Sequence, residues 1–209
     1  VQDSAGNDAA SLLAQSVTNM LNRAPVILPS RLDVSFSGDG KQTTGFGTSN
    51  DTARTVATMA DGRFVVAGNA GDDFAVARYL ADGSLDTSFS TDGKTTTDVA
   101  DVLTAKALAV QSDGKVVLVG SRNGGNDLVV VRYTASGDLD TSFNTTGIIA
   151  TDLSTSNEVN TTVLIQSDGK IVVAGYAHGG GETYLIQRYT SGGALDTDFS
   201  GDGRDTGNF

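Results

Sequence analysis

Three short stretches of the 209-residue chain are unbroken apolar runs: Phe64 to Gly68, Val116 to Gly120 and Ile171 to Gly175. Ahead of each, small or apolar residues alternate with polar ones, as in "ARTVATMADG" from Ala53 to Gly62. Alternation with period two predicts a half-buried strand, and a continuous apolar run predicts a strand covered on both faces. Between the two stands Asp-Gly, at Asp61-Gly62, Asp113-Gly114 and Asp168-Gly169, a dipeptide that favours the positive φ angles of a tight hairpin. A glycine-rich loop follows each run ("NAGDD", "RNGGND", "AHGGGE"), then a third apolar strand such as "LVVVRY" from Leu128. Another glycine turn leads to a fourth, more polar strand, such as "GKTTTDV" from Gly93.

The stretch joining the third and fourth strands is almost the same each time. "LDVSFSGDGK" begins at Leu32, "LDTSFSTDGK" at Leu85, "LDTSFNTTGI" at Leu139 and "LDTDFSGDGR" at Leu195, in steps of 53, 54 and 56. The Asp-Gly hairpins and an Arg-Tyr pair (Arg78-Tyr79, Arg132-Tyr133, Arg188-Tyr189) keep the same beat. Four antiparallel strands in about 54 residues make one propeller blade. A solenoid would need shorter coils, and a sandwich would not repeat so regularly. The chain is therefore expected to be all-β, with three full blades at about 52–98, 102–152 and 158–207. An extra N-terminal strand is expected within 32–46, after an arm over 1–30.

Four of the eight phenylalanines, Phe36, Phe89, Phe143 and Phe199, occupy the last position of the LDxxF motif, so that position is read as structural. The leucine and phenylalanine are expected to plug the gap beneath the turn. Asp33, Asp86, Asp140 and Asp196 are expected to cap backbone N–H groups, as Asx turns do. Arg78, Arg132 and Arg188 lie in apolar strands, where an unpaired guanidinium would be costly. The motif aspartates of the same repeat are their expected partners.

Charge narrows the possible partners. With 14 basic and 25 acidic residues the net charge is −11, which disfavours nucleic acid and anionic lipid while concentrating cations. No stretch approaches the roughly 20 apolar residues that span a bilayer, and "VQDSAGNDAA" has neither the basic start nor the apolar run of a signal peptide. Cysteine is absent, which removes disulfides, zinc–thiolate sites and cysteine nucleophiles together.

Few residues suggest chemistry. His178 is the only histidine, without a sequence signal for an orienting partner or a nucleophile, and reads as a solvated loop residue. The turns at Asp39, Asp92 and Asp202 raise calcium, which Asp-x-Asp-Gly loops bind through hard oxygen ligands. They lack the D-x-D-x-D-G spacing that gathers carboxylates in one turn, so a plain turn aspartate is preferred and no cofactor is expected. The loops between second and third strands vary while the framework repeats. They supply the ligand-binding candidates Asp72, Asp73, Asn123, Asn126, Asp127, His178 and Glu182.

The units resemble the delta-60 repeat, a bacterial β-propeller family with a pattern near "QxDGKIVVAG…DFALARYNxDGSLDxSFGxDGxV". "VQSDGKVVLVG", "DFAVARYLADGSLDTSFSTDGK" and "IQSDGKIVVAG" carry the likeness, which covers Arg31 to Gly207. It implies a propeller in large secreted or surface proteins and brings no catalytic residues. The first thirty residues admit two readings. One is a helix with a stripe of Leu12, Leu13, Ser16, Val17, Met20 and Leu21; the other is the exit linker of cadherin-like adhesin modules, which "DSAGNDA" and "NRAPV" resemble.

The functional expectation is a non-enzymatic, secreted or cell-surface module for adhesion, display or binding of a glycan or protein. A propeller hydrolase or lyase and a purely structural spacer are the alternatives. Three blades would leave two apolar faces open, so further repeats of a longer chain or a second copy are expected as partners.

Overall fold

The computed structural model describes residues 32–48, 50–99, 104–122, 127–152, 157–178 and 182–207. Every regular element among them is a strand, and the strands form three four-stranded antiparallel sheets. The first holds β1 (Asp51–Thr58), β2 (Phe64–Ala70), β3 (Asp73–Tyr79) and β4 (Lys94–Thr97) in sequential order. The second holds β5 (Thr104–Val110), β6 (Val116–Arg122), β7 (Asp127–Tyr133) and β8 (Ile148–Asp152). The third holds β9 (Asn157–Ile165), β10 (Ile171–His178), β11 (Glu182–Tyr189) and β12 (Arg204–Gly207). Each strand pairs with its chain neighbour, so each sheet closes through local hairpins alone.

The Asp-Gly hairpins use the glycine for a different purpose than the dipeptide suggests. Only the glycine is left-handed, at φ 88°, 85° and 82° for Gly62, Gly114 and Gly169. The aspartate stays in ordinary backbone space and uses its carboxylate. Asp61, Asp113 and Asp168 accept the N–H of Arg63, Lys115 and Lys170 at 3.1, 3.2 and 3.1 Å. The first strand of every sheet carries a register shift opposite the end of the apolar run: between Ala53 and Thr55, between Ala105 and Ala107, and opposite Ala174/Gly175. A glycine is required there. A Cβ on Gly68 or Gly120 would sit 1.8 or 2.4 Å from the carbonyl oxygen of Thr52 or Thr104.

Two apolar cores lie between sheets rather than within them. Val65, Ala67, Phe74 and Val76 of the first sheet pack with Leu108, Val116, Leu118, Val129 and Val131 of the second. Val117, Val119, Leu128 and Val130 of the second pack with Val163, Ile171 and Val173 of the third. The middle strands of the second sheet, β6 and β7, are therefore covered on both faces, which explains their unbroken apolar runs.

The chain divides into two units, 1–40 and 41–209, and the sheets belong to the second. In the first, the Asp33 carboxylate accepts the Ser35 N–H at 2.9 Å and its hydroxyl at 2.6 Å, and the Phe36 N–H donates to the Asp33 carbonyl at 3.0 Å. The expected extra strand over 32–46 does not form: 34–40 is turn and bend, and 41–46 has no regular structure and enters no sheet. The 41–46 segment is tied down by single contacts instead. Tyr79 donates its hydroxyl to Thr44 Oγ1 at 2.7 Å, and Lys94 Nζ reaches the Gly45 carbonyl at 2.6 Å. The helix-or-linker question for residues 8–22 lies outside the described residues.

Candidate functional site

The LDxSF motif forms a compact turn at one edge of each sheet. In the first sheet Phe89 N–H donates to the Asp86 carbonyl (2.9 Å), while the Asp86 carboxylate accepts the Ser88 N–H (3.1 Å) and hydroxyl (2.6 Å). Asp140 does the same with Ser142. Asp196 accepts the N–H of Asp198, which stands where the other blades have serine. Phe89 and Phe143 are fully buried. The motif leucine is less covered: Leu139 is exposed, while Leu85 and Leu195 are half-buried and Leu195 packs against the core beside Phe143.

The turn is completed by charge. Asp86 pairs with Arg78 Nε at 2.8 Å and with Arg63 Nη1 at 3.1 Å. Asp140 pairs with Arg132 Nε at 2.8 Å and Lys115 Nζ at 3.7 Å, and Asp196 with Arg188 Nε at 2.6 Å and Lys170 Nζ at 3.0 Å. One carboxylate thus serves two cations in each blade, the second always being the residue after Asp-Gly. Burial pushes Asp86 and Asp140 upward, yet the serine donors and the neighbouring cations outweigh it and hold both carboxyls below the usual carboxylate range. For Asp196 the hydrogen bond from Lys170 leads, with Arg188 assisting against burial, and its carboxyl is likewise lowered. Such groups stay ionised at neutral pH and offer no proton to a reaction.

Each guanidinium also lies over its own motif phenylalanine, 4.9 Å from the Phe89 ring for Arg78, 4.5 Å from Phe143 for Arg132 and 4.8 Å from Phe199 for Arg188. Those of Arg78 and Arg132 also cross to the next sheet. Arg78 Nη1 donates to the Ala135 carbonyl at 2.6 Å, and Arg132 Nη1 to the Ser191 carbonyl at 2.5 Å. The Ser90 and Asn144 N–H groups, just past the phenylalanine, donate to Ser136 and Gly192 of the same receiving turns. Gly137 and Gly193 sit directly over Phe89 and Phe143, where a Cβ would come within 3.1 and 2.9 Å of the rings.

Beside each joint is a polar cleft. The first, about 810 Å³, lies between the hairpins at Met59–Arg63 and Gln111–Gly114, with Arg78, Ser88 and Ser136 on its wall. The second, about 920 Å³, repeats it one sheet on between Gln111–Lys115 and Gln166–Gly169, with Arg132, Ser142 and Gly192. Gln111 Oε1 and Gln166 Oε1 are buried at these clefts without a hydrogen-bond donor from the protein. Neither glutamine was singled out by sequence reasoning, although "QSDGK" occurs twice; the first copy has Met59-Ala60 in its place, which hid the repeat.

The expected ligand loops lie at the opposite edge of the sheets. Asp72 is exposed in the β2–β3 turn, and Asp73 begins β3. Burial, with the carboxylates of Asp98 and Asp72 adding repulsion, raises the Asp73 carboxyl. Asp127 is buried at the start of β7 and paired with Arg122 at 2.8 Å. His178 and Glu182 face each other across the β10–β11 register as the last and first residues of their strands. Asn123 and Asn126 lie outside the described residues. Asp92 and Asp202 accept the N–H two residues on, from Lys94 (3.1 Å) and Arg204 (2.9 Å), and Asp39 is exposed in the first unit. Among the described residues no three acidic or histidine side chains gather as a metal site.

Segments 60–89, 111–143 and 166–199 match the sequence pattern of a family described as "Domain of unknown function (DUF5122) beta-propeller". These are the three hairpin-to-turn stretches of the three sheets. The sheets are propeller blades. No curated protein matches the chain. Among solved structures, a protein of unknown function from Bacteroides caccae aligns at 7% identity and TM-score 0.33, over 74% of this chain and 86% of that one. A catalytically inactive variant of virginiamycin B lyase from Staphylococcus aureus, with quinupristin, aligns at 11% identity and TM-score 0.29, over 80% and 73%. Likeness at that level fixes neither shape nor activity.

Proposed function

We propose that the chain is a non-enzymatic propeller module of a secreted or surface protein, of the delta-60 repeat kind, and that it binds an uncharged glycan in the clefts between blades. The observation that carries this reading is the recurrence of one cleft at both blade junctions, built from the same repeat positions. Equivalent sites one blade apart suit a ligand that itself repeats, because weak contacts along a polymer add through effective concentration. A lining of serine, glutamine and aspartate over Met59 and Val110 offers hydroxyl-binding groups above an apolar floor. The overall charge of −11 disfavours a polyanionic polymer. The acidic groups of the clefts' joints are held ionised by two cations each, which supports binding over acid–base chemistry.

The test is a glycan array followed by calorimetry on hits. Binding of a neutral oligosaccharide, weakened at least several-fold by Gln111→Ala or Ser112→Tyr, is expected. An empty array leaves the spacer reading in its place. Turnover of glycoside, ester or phosphate substrates, lost on a point substitution, would establish the hydrolase or lyase instead.

A further inference from the structure

The third blade breaks the repeat at one pair of facing positions. Across the third and fourth strands the first blade sets Ala77 opposite Lys94, and the second sets Val131 opposite Ile148. The third sets Gln187 opposite Arg204. The face these positions share is an enclosed one. Val131 and Ile148 pack into the core between the first and second blades. Gln187, two residues from Tyr189 on one strand, lies on the face that Tyr189 buries against Val130, Phe143 and Ile149 of the second blade. Both polar side chains therefore belong to the joint between the second and third blades.

Hydrogen-bonding groups at that joint do not balance. Gln187 is 0% exposed. Its Oε1 accepts the Tyr189 hydroxyl at 2.8 Å, which orients the amide and leaves Nε2 buried without an acceptor from the protein. Arg204 Nε is likewise buried without an acceptor, and the guanidinium pairs with no carboxylate among the described residues. The Asp202 carboxylate accepts the Arg204 backbone N–H instead. Lys94, at the same position of the first blade, has the Gly45 carbonyl and the Phe46 ring as partners. Side chains directly opposite each other on neighbouring strands stand about 5 Å apart at Cβ, so the two orphaned donors share one spot. Two buried donors, one of them charged, in an apolar joint call for an acceptor that carries negative charge. A water molecule would satisfy the hydrogen bonds and leave the guanidinium uncompensated.

We infer that Gln187 Nε2 and Arg204 Nε together bind a small monovalent anion, of the chloride and bromide class, between the second and third blades. Small size follows from two donors held on adjacent strands. Weak hydration follows from the apolar surroundings, where fluoride or sulfate would give up too much solvation. The ion enters past Arg204, whose side chain is half-buried on the edge strand of its sheet.

The test is the chlorine NMR line width of the intact chain in chloride buffer, with thermal melts alongside. The chain is expected to broaden the chloride line, and bromide to reverse this at equal ionic strength while fluoride does not. The melting temperature should climb with the logarithm of bromide concentration at fixed ionic strength. Combining Gln187→Val with Arg204→Ile copies the second blade's own pair. That variant should keep the wild-type circular dichroism, lose the broadening several-fold and melt independently of halide. Gln187→Glu, which places a carboxylate beside Arg204, should abolish both responses as well. Broadening that survives in the double variant, or a wild type whose line width and melting temperature ignore bromide, overturns the inference and leaves the joint to water.

Discussion

The Arg78 guanidinium of the first blade donates to the backbone carbonyl of Ala135 in the second, 2.6 Å away, while its Nε holds Asp86 of its own blade at 2.8 Å. Arg132 repeats both bonds with Ser191 and Asp140. One side chain therefore fastens its blade internally and to its neighbour. Arg132→Ala should cost about 3–5 kcal/mol, because it leaves the buried Asp140 carboxylate short of its main partner. Lysine should not rescue it, since a point charge cannot reach carboxylate, serine and carbonyl together. Chemical denaturation checks this; Arg188→Ala, at the more open end, should cost clearly less.

The phenylalanines give the same gradient without charge. Phe143→Ala should lose about 3–5 kcal/mol, the usual figure for a sealed aromatic. Phe199→Ala, at a half-buried site, should lose less than half as much. Equal losses at the two positions in urea melts would show that the following turn contributes nothing to the plug.

Gly137 tests the receiving side. Its φ is 92°, and a Cβ there would lie 2.8 Å from the Ser90 nitrogen and 3.1 Å from the Phe89 ring. Gly137→Ala should therefore destabilise by more than about 1 kcal/mol. Gly201 has a similar φ of 88° and open space around it, so Gly201→Ala should show the backbone cost alone.

Acid should act through the motif aspartates. Asp86, Asp140 and Asp196 have lowered carboxyls, so the folded chain binds fewer protons than the unfolded one as pH drops past the ordinary value near 3.9. Their stabilisation is fully present above about pH 5 and is lost progressively below about pH 4. Thermal melts should hold steady from neutrality to about pH 5 and fall steeply beneath it, and Asp140→Asn should make that fall shallower. Asp73 has the opposite sign. Its raised carboxyl costs stability when charged, so Asp73→Asn should raise the melting temperature at neutral pH and lose that gain in acid.

Chelation should do little. Asp92 and Asp202 spend a carboxylate oxygen on the backbone of their own turns. Adding EDTA should leave the melting temperature unchanged; a drop reversed by calcium would make these turns metal sites.

The blades were legible in the sequence because period two, Asp-Gly hairpins and a repeated turn all report on local structure. The Arg–Asp partnership could also be read, since a guanidinium in an apolar strand demands a carboxylate of the same repeat. Three things could not. The exposure of Leu139 and the half-burial of Leu195 depend on what stands over the turn, which the motif itself does not encode. The 41–46 segment has strand-like residues, but no strand of the first sheet pairs with it. The clefts arise between blades, from residues some fifty positions apart, so no single window of sequence displays them. The loops at the other edge stand out in the sequence because they vary from blade to blade, and Asp127 among them is paired with Arg122.

Each repeat carries both halves of its joint, the Arg–Phe plug in one motif and the glycine turn that receives a plug a few residues before it. A gene that gains or loses one whole unit, in steps of 53 to 56 residues, therefore leaves every surviving junction matched without any compensating substitution. Slippage by part of a unit would separate plug from socket and strand a buried arginine. Selection would thus leave the number of blades free to drift between relatives while holding the order of plug and socket within the unit fixed.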